Sequence, residues 1–136
     1  MSDKLFRPLT LGAATLSHRV ALAPLTRFQS DDNNIPIIPL AKEYYEQRAS
    51  IPVTLIIPEG TYVAYISQKT GGYANIPGIW NNDQVQAWKV VTDAVHAKRS
   101  FIFVKLWAVG RAAKADVLKK TGHKVVSSSA IAIGPD

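Results

Sequence analysis

The chain has 136 residues, of which 47% are hydrophobic and 19% charged, and it carries a formal net charge of +6. This composition is typical of one globular domain and excludes disordered, collagen-like and coiled-coil chains. Because the chain has no cysteine, disulfides, thiolate catalysis and cysteine-ligated metal or iron–sulfur sites are excluded. No apolar run approaches the roughly 18 residues that cross a bilayer, and no secretory signal follows the N-terminus. We therefore expect a cytoplasmic protein without a membrane partner.

The first predicted elements are a small hairpin and a short strand. Leu9–Leu11 and Thr15–Ser17 flank Gly12-Ala13-Ala14, a pattern typical of a β-hairpin. Val20–Ala23 follows as a short apolar strand, which Pro24 ends.

A helix and a buried strand come next, after a loop predicted for residues 29–36 from their turn-forming composition. Pro39 suits the first helical position, where its missing N–H costs nothing. Pro52 ends the helix, and Val53–Ile57 is a continuous apolar run typical of a strand buried on both faces. The apolar residues predicted to share one face of the helix are Leu40, Ala41, Tyr44, Tyr45 and Ala49.

A second helix and strand follow a long loop predicted for residues 60–80. Asn81, with Gln84 three residues later, resembles a capping box at the start of this helix. Phe101–Val104 is the next predicted buried strand. The apolar stripe expected along the helix consists of Val85, Trp88, Val91 and Val95.

The last part of the chain is basic. Residues 108–124 are predicted as loop or short helix and Lys124–Ser127 as a brief strand. Between residues 98 and 124 the only acid is Asp116, against Lys98, Arg99, Lys105, Arg111, Lys114, Lys119, Lys120 and Lys124. This stretch lacks the interleaved aromatic residues of a nucleic-acid stacking surface. It therefore favours a solvated face or a site for an anionic ligand over a nucleic-acid partner.

The alternation of strands and amphipathic helices predicts an α/β fold with about three parallel strands. A sheet this small leaves Val20–Ala23 and Phe101–Val104 with open edges, which are an aggregation hazard unless something covers them. We therefore expect self-association or a partner that covers these edges.

Ligands of parallel α/β folds bind beyond the carboxyl ends of the strands. Thr26 places a hydroxyl there, and Gly60 allows a flat ligand to approach the backbone. Lys105 places a charge at the end of an apolar strand, either for a ligand or simply reaching solvent. Glu59 is the carboxylate at a strand end, and it is predicted either to pair with a nearby cation such as Lys105 or to act as a base.

Other patterns carry little catalytic information. His18, His96 and His123 lack metal-ligand spacing and are expected to be structural or exposed. Gly71-Gly72 lacks the strand–turn–helix context of a dinucleotide fingerprint.

Several motifs resemble the N-terminal part of the Old Yellow Enzyme family, which are FMN-dependent ene-reductases. They occur in the family's order over nearly the whole chain, and the segments Phe101–Phe103 and Gly110–Ala113 are most similar to its fungal, ergot-alkaloid-type branch of secondary metabolism. The matching motifs are Leu5-Phe6-Arg7-Pro8-Leu9, Ala23-Pro24-Leu25-Thr26-Arg27, Glu43-Tyr44-Tyr45-Glu46-Gln47-Arg48-Ala49, Gly71-Gly72-Tyr73, Pro77-Gly78-Ile79-Trp80 and Leu106-Trp107.

The resemblance implies a (β/α)8 TIM barrel that holds FMN, is reduced by NADPH or NADH, and reduces the C=C bond of small α,β-unsaturated carbonyl substrates. By position, Pro24, Thr26 and Gly60 match residues that contact the flavin ring. Tyr73 and Trp107 match residues that line the substrate pocket, although Trp107 also suits plain core packing.

Two departures from the family pattern stand out. Lys105 replaces a glutamine that binds the flavin pyrimidine as donor and acceptor, whereas lysine only donates. Pro58 replaces a threonine. In addition, a full barrel needs about 250 residues, so residues 1–136 are expected to form an N-terminal fragment with about three of eight strands.

This length leaves three functions open. The family's carbonyl-binding His/Asn pair, its proton-donating tyrosine and its flavin-phosphate arginine match no position in this sequence, so the catalytic residues stay unknown. The chain is part of an FMN-dependent oxidoreductase, a flavin-free isomerase, cyclase or binding protein of that ancestry, or a structural or regulatory partner that caps a longer homologue.

Overall fold

The computed structural model describes residues 3–65, 73–120 and 122–131, so the Gly71-Gly72 motif lies outside the described residues. The helices are Leu40–Arg48 (α1), Asn82–Ala97 (α2) and Ala115–Lys120 (α3), with 3-10 turns at Asp3–Phe6 and Gly110–Ala112. The strands are Leu9–Leu11 (β1), Ala14–Leu16 (β2), Ala21–Leu22 (β3), Leu55–Ile56 (β4), Gly60–Tyr62 (β5), Phe101–Ile102 (β6) and Lys105–Trp107 (β7). No helix in these described ranges is long and apolar enough to cross a membrane.

The predicted parallel sheet is confirmed. Strands β3, β4 and β6 pair in parallel in that order, and β5 pairs in parallel with β7. Two further hydrogen bonds extend the three-stranded sheet. The Ile57 N–H donates to the Leu22 carbonyl (3.1 Å) beyond the β3–β4 pair, and the Phe103 N–H donates to the Ile56 carbonyl (3.0 Å) beyond the β4–β6 pair. Three consecutive βα-type segments of the chain therefore run side by side with their carboxyl ends on one edge.

The paired segments are shorter than the apolar runs predicted. Val53 takes a positive φ of 64° and so does not continue an extended strand, and Pro58 has no N–H to donate to a ladder. The loop predicted for residues 60–80 was wrong at its start, where Gly60–Tyr62 forms β5. The predicted strand at Lys124–Ser127 is absent from the described residues, because this exposed segment has no strand beside it.

The hairpin is confirmed as an antiparallel pair of β1 and β2, with Leu9 opposite Leu16. Its turn is narrower than predicted, since Ala14 already belongs to β2. Gly12 takes a φ of +59°, a conformation that favours glycine.

The core lies between the sheet and the two longer helices. It consists of Ala41, Tyr45, Ala49, Ile56, Trp88, Val91 and Val95. The capping box of α2 is confirmed, since the Asn81 side chain accepts from Gln84 N–H and the Gln84 side chain accepts from Asn81 N–H. Leu40 and Val85 belong to the predicted apolar faces of α1 and α2, but each lies in the first turn of its helix and is exposed.

Candidate functional site

The segments that follow the carboxyl ends of β3, β4 and β6 bring the predicted ring-binding residues to one edge of the sheet. Half-buried Pro24 and exposed Thr26 follow β3, and neither makes a hydrogen bond to another described residue. Gly60 begins β5 and lies directly opposite Lys105 of β7. The edge therefore presents a free hydroxyl, a residue without a side chain and an ammonium group.

Gly60 lies close to the side chain of Trp107. A Cβ added there would lie 3.1 Å from Cε3 of Trp107, tighter than ordinary van der Waals contact. The indole therefore packs against bare backbone, and the flat surface predicted at Gly60 is occupied in part by this chain's own Trp107.

Three aromatic rings form a wall beside Gly60. Tyr62 stacks on Trp107 with ring centroids 5.4 Å apart and planes 16° apart, and Tyr73 lies 5.8 Å from Trp107. Tyr62 is fully buried, Trp107 half-buried and Tyr73 exposed, so the wall leads from the core to the surface. Tyr73 and Trp107, the two residues predicted to line the pocket, thus lie together. Trp107 also packs against the core, because one face of its ring stacks on the buried Tyr62.

Tyr62 was missed by the sequence reasoning. Burial raises the pKa of its hydroxyl to about 12, and this hydroxyl donates to the Tyr73 carbonyl (3.4 Å). The aromatic residue two positions after Gly60 was the available signal, but the segment was predicted as loop.

The predicted pairing of Glu59 with Lys105 is absent, and its carboxylate forms no ion pair with a described residue. Lys105 is exposed and makes no ion pair with any described residue. Glu59 is only 1% exposed, and its Oε2 accepts the backbone N–H groups of Arg27 and Phe28, both at 2.9 Å. Burial raises the pKa of the Glu59 carboxyl, while these backbone donors and the nearby charge of Arg27 lower it. The carboxylate is thus engaged by the loop after β3 and is not aimed at Lys105.

The histidines have the structural or exposed positions expected of them. Thr54 Oγ1 donates to the Ile51 carbonyl (2.7 Å), so its oxygen accepts from His18 Nε2 (2.9 Å). His18 Nδ1 accepts the Val20 N–H (3.2 Å), so the ring connects the residues just before β3 with Thr54, just before β4. His96 and His123 are exposed, and within the described ranges no cluster of His, Asp or Glu could hold a metal ion.

Comparison with known proteins agrees with this arrangement. The model of the NADH:flavin oxidoreductase / NADH oxidase family matches residues 4–134. The chain is 57% identical over 133 residues to the NADP-dependent oxidoreductase lnbE of Aspergillus flavus, covering 98% of this chain and 34% of that protein. It is 54% identical over 134 residues to the chanoclavine-I aldehyde reductase fgaOx3 of Penicillium roqueforti, covering 98% and 35%.

Solved structures show the same relationship. The crystal structure of Old Yellow Enzyme from Pichia sp. AKU4542 matches with a TM-score of 0.79 and 36% identity, over 94% of this chain and 32% of that one. The chain thus spans about a third of the length of the relatives it matches. Its parallel strands and their connecting helices correspond to the N-terminal part of that α/β barrel. The chain belongs to the NADH:flavin oxidoreductase / NADH oxidase family.

Proposed function

We propose that residues 1–136 supply the N-terminal third of an FMN-dependent barrel that reduces the C=C bond of small α,β-unsaturated carbonyl compounds in fungal secondary metabolism. The observation that carries this proposal is the family match over residues 4–134, with Thr26, Gly60 and Lys105 at one sheet edge. When bound, FMN would take hydride from NADPH or NADH and pass it to the substrate. A cytoplasmic location stays a prediction, which microscopy of a fluorescent fusion in a fungal host would test.

The residues at this edge fit a flavin ring. Pro24 and Gly60 offer compact surfaces, and Thr26 has a hydroxyl that no described residue engages. Lys105 supplies N–H donors for ring carbonyls, although it lacks the acceptor that an amide would add. We assign these four residues to the flavin ring, and Tyr73 and Trp107 to the wall of the substrate pocket.

A hybrid barrel tests this function. The chain would be joined at its C-terminal end to the remaining two thirds of lnbE, and NADPH consumption would be measured with and without an enone. We expect enone-dependent NADPH oxidation, with lnbE itself as the positive control. A folded hybrid that oxidises no NADPH would contradict the proposal and favour the flavin-free isomerase, cyclase or binding protein.

Lys105→Gln in this hybrid tests the lysine's role. The change restores a group that both donates and accepts, so FMN affinity should stay the same or increase. It also removes a positive charge beside the ring, which should make the flavin harder to reduce. Equilibrium titration and the reduction potential of both hybrids measure these effects. If neither quantity changes, Lys105 is a surface lysine that reaches solvent.

We also propose that the isolated chain self-associates or binds a partner at its sheet edges. β3 and β6 are the outer strands of their sheet, and a cleft of about 320 Å³ beside β3 is lined partly by Val20, Leu22 and Ile51. At the other edge Phe103 and Leu106 are more than half exposed. Covering each large apolar side chain is worth roughly 1.5–3 kcal/mol. We therefore expect light scattering to show oligomers, and a stable monomer at high concentration would exclude this.

A further inference from the structure

Glu59 is a buried carboxylate that no part of the proposed reaction uses. It lies between β4 and β5, immediately before Gly60, and is only 1% exposed. One of its oxygens, Oε2, accepts two consecutive backbone N–H groups, those of Arg27 and Phe28, both at 2.9 Å. Consecutive amides that converge on one oxygen form an anion-binding nest, here filled by a side chain of the same protein.

The loop that receives this carboxylate has few other anchors. Leu25, Thr26, Arg27 and Phe28 are all exposed. Phe28 takes a φ of +55°, a conformation that costs energy for a residue with a side chain. Besides the bonds to Glu59, this loop makes a local bond from Leu25 N–H to the Ala23 carbonyl and a bond from Arg27 Nε to the Tyr44 hydroxyl (2.9 Å). The Arg27 guanidinium also lies 5.7 Å from the centroid of the Tyr44 ring. The Glu59 carboxylate is therefore the buried group that fixes this strained turn through hydrogen bonds, and we call this contact the Glu59 tie.

Glu59 is itself held rigidly. Its N–H donates to the hydroxyl of Tyr45 (3.0 Å), a core residue of α1 that is 1% exposed. Its carbonyl accepts from the Thr61 hydroxyl (3.1 Å). The tie thus connects the loop to the sheet and to α1.

We propose that Glu59 is a positioning residue, which fixes Thr26 relative to Gly60 so that hydroxyl and bare backbone face the same ring. This inference rests on the proposed function, since it assigns a geometric role within that flavin site. It predicts that Thr26 contributes to flavin affinity only while Glu59 holds the loop.

The first test measures amide hydrogen exchange in the 136-residue chain. Glu59→Ala should speed exchange of the Arg27 and Phe28 amides by roughly tenfold, the equivalent of one lost hydrogen bond. Glu59→Gln keeps a carbonyl oxygen for both donors and should change exchange less. Glu46→Ala, which removes a surface carboxylate paired with Lys42 and Lys98, is the matched control and should leave both amides unchanged. Equal acceleration across the whole chain in Glu59→Ala would overturn the local tie.

The second test is a double-mutant cycle on FMN affinity in the lnbE hybrid. Thr26→Ala should weaken FMN binding when Glu59 is present and have little further effect in the Glu59→Ala background. Additive effects would overturn the positioning role, because a residue that only stabilises the fold would not couple to Thr26. If Glu59→Ala fails to fold, Glu59→Asp, which is one methylene shorter, replaces it in the cycle. Failure of the unmodified hybrid to bind FMN would instead contradict the proposed function itself.

Discussion

Replacing Gly78 with alanine will destabilise the fold by about 3 kcal/mol, the upper end of the usual cost of overpacking. A Cβ at this position would lie 2.2 Å from Cζ3 of Trp80 and 2.8 Å from Cδ of Gln84. The backbone cannot move away freely, because Gly78 N–H donates to the Asn34 carbonyl (2.8 Å) and its carbonyl accepts from Trp88 Nε1 (3.1 Å). Gln84 is also engaged, since its side chain completes the capping box of α2.

Thermal and denaturant unfolding of the 136-residue chain measure this loss, which corresponds to a fall in melting temperature of roughly 10 °C. Gly12→Ala is the matched control, since nothing lies within 4 Å of its added Cβ and only its φ of +59° is unfavourable. That strain should cost about 1 kcal/mol. Equal losses of stability from the two substitutions would show that the close neighbours of Gly78 do not determine the cost of adding a side chain there.

The isolated 136-residue chain will bind FMN far more weakly than the hybrid barrel. The residues that we propose for FMN would contact only its ring, and the arginine that the family resemblance assigns to the flavin phosphate matches no position in residues 1–136. Charge-assisted phosphate contacts are the stronger class of hydrogen bond. Losing two of them, at about 1.5–3 kcal/mol each, lowers affinity by roughly 10²- to 10⁴-fold.

Quenching of FMN fluorescence measures both affinities under the same buffer conditions. The hybrid provides the reference, and the chain with Thr26→Ala provides a control for any ring contact that survives. Stoichiometric quenching by the isolated chain at micromolar concentration would contradict the prediction. It would show that residues 1–136 alone provide most of the free energy of FMN binding.

Elements with a local, repeated pattern were predictable from the sequence. The Asn81–Gln84 box and the Trp88, Val91 and Val95 stripe depend on spacing within one helix, and both are present. The β-branched run that contains Leu55–Ile56 likewise forms a parallel strand. Leu40 and Val85 fit the same helical period but are exposed, which the period alone does not reveal.

Contacts between distant segments were not predictable from the residues alone. Glu59 was predicted either to pair with a nearby cation or to act as a base. Its actual partners are two backbone N–H groups 32 and 31 residues away, which side-chain chemistry does not reveal. Tyr62 was hidden for a similar reason, since its stacking on Trp107 depends on the pairing of β5 with β7.

The candidate site shows both outcomes. The parallel order brings Gly60 opposite Lys105, so the prediction that strand ends share one edge is confirmed. The roles of Pro24, Thr26, Gly60, Lys105, Tyr73 and Trp107 toward flavin and substrate stay predictions, because they depend on a bound ring.

The absorbance spectrum of the purified hybrid barrel tests the central claim most directly. If Thr26, Gly60 and Lys105 contact the flavin ring, the hybrid will show the visible absorbance of bound flavin, close to one equivalent per folded chain. The spectrum of lnbE, measured in parallel, provides the reference. A hybrid that folds with native-like secondary structure and cooperative unfolding, yet is colourless and remains so after incubation with excess FMN and gel filtration, would contradict the claim.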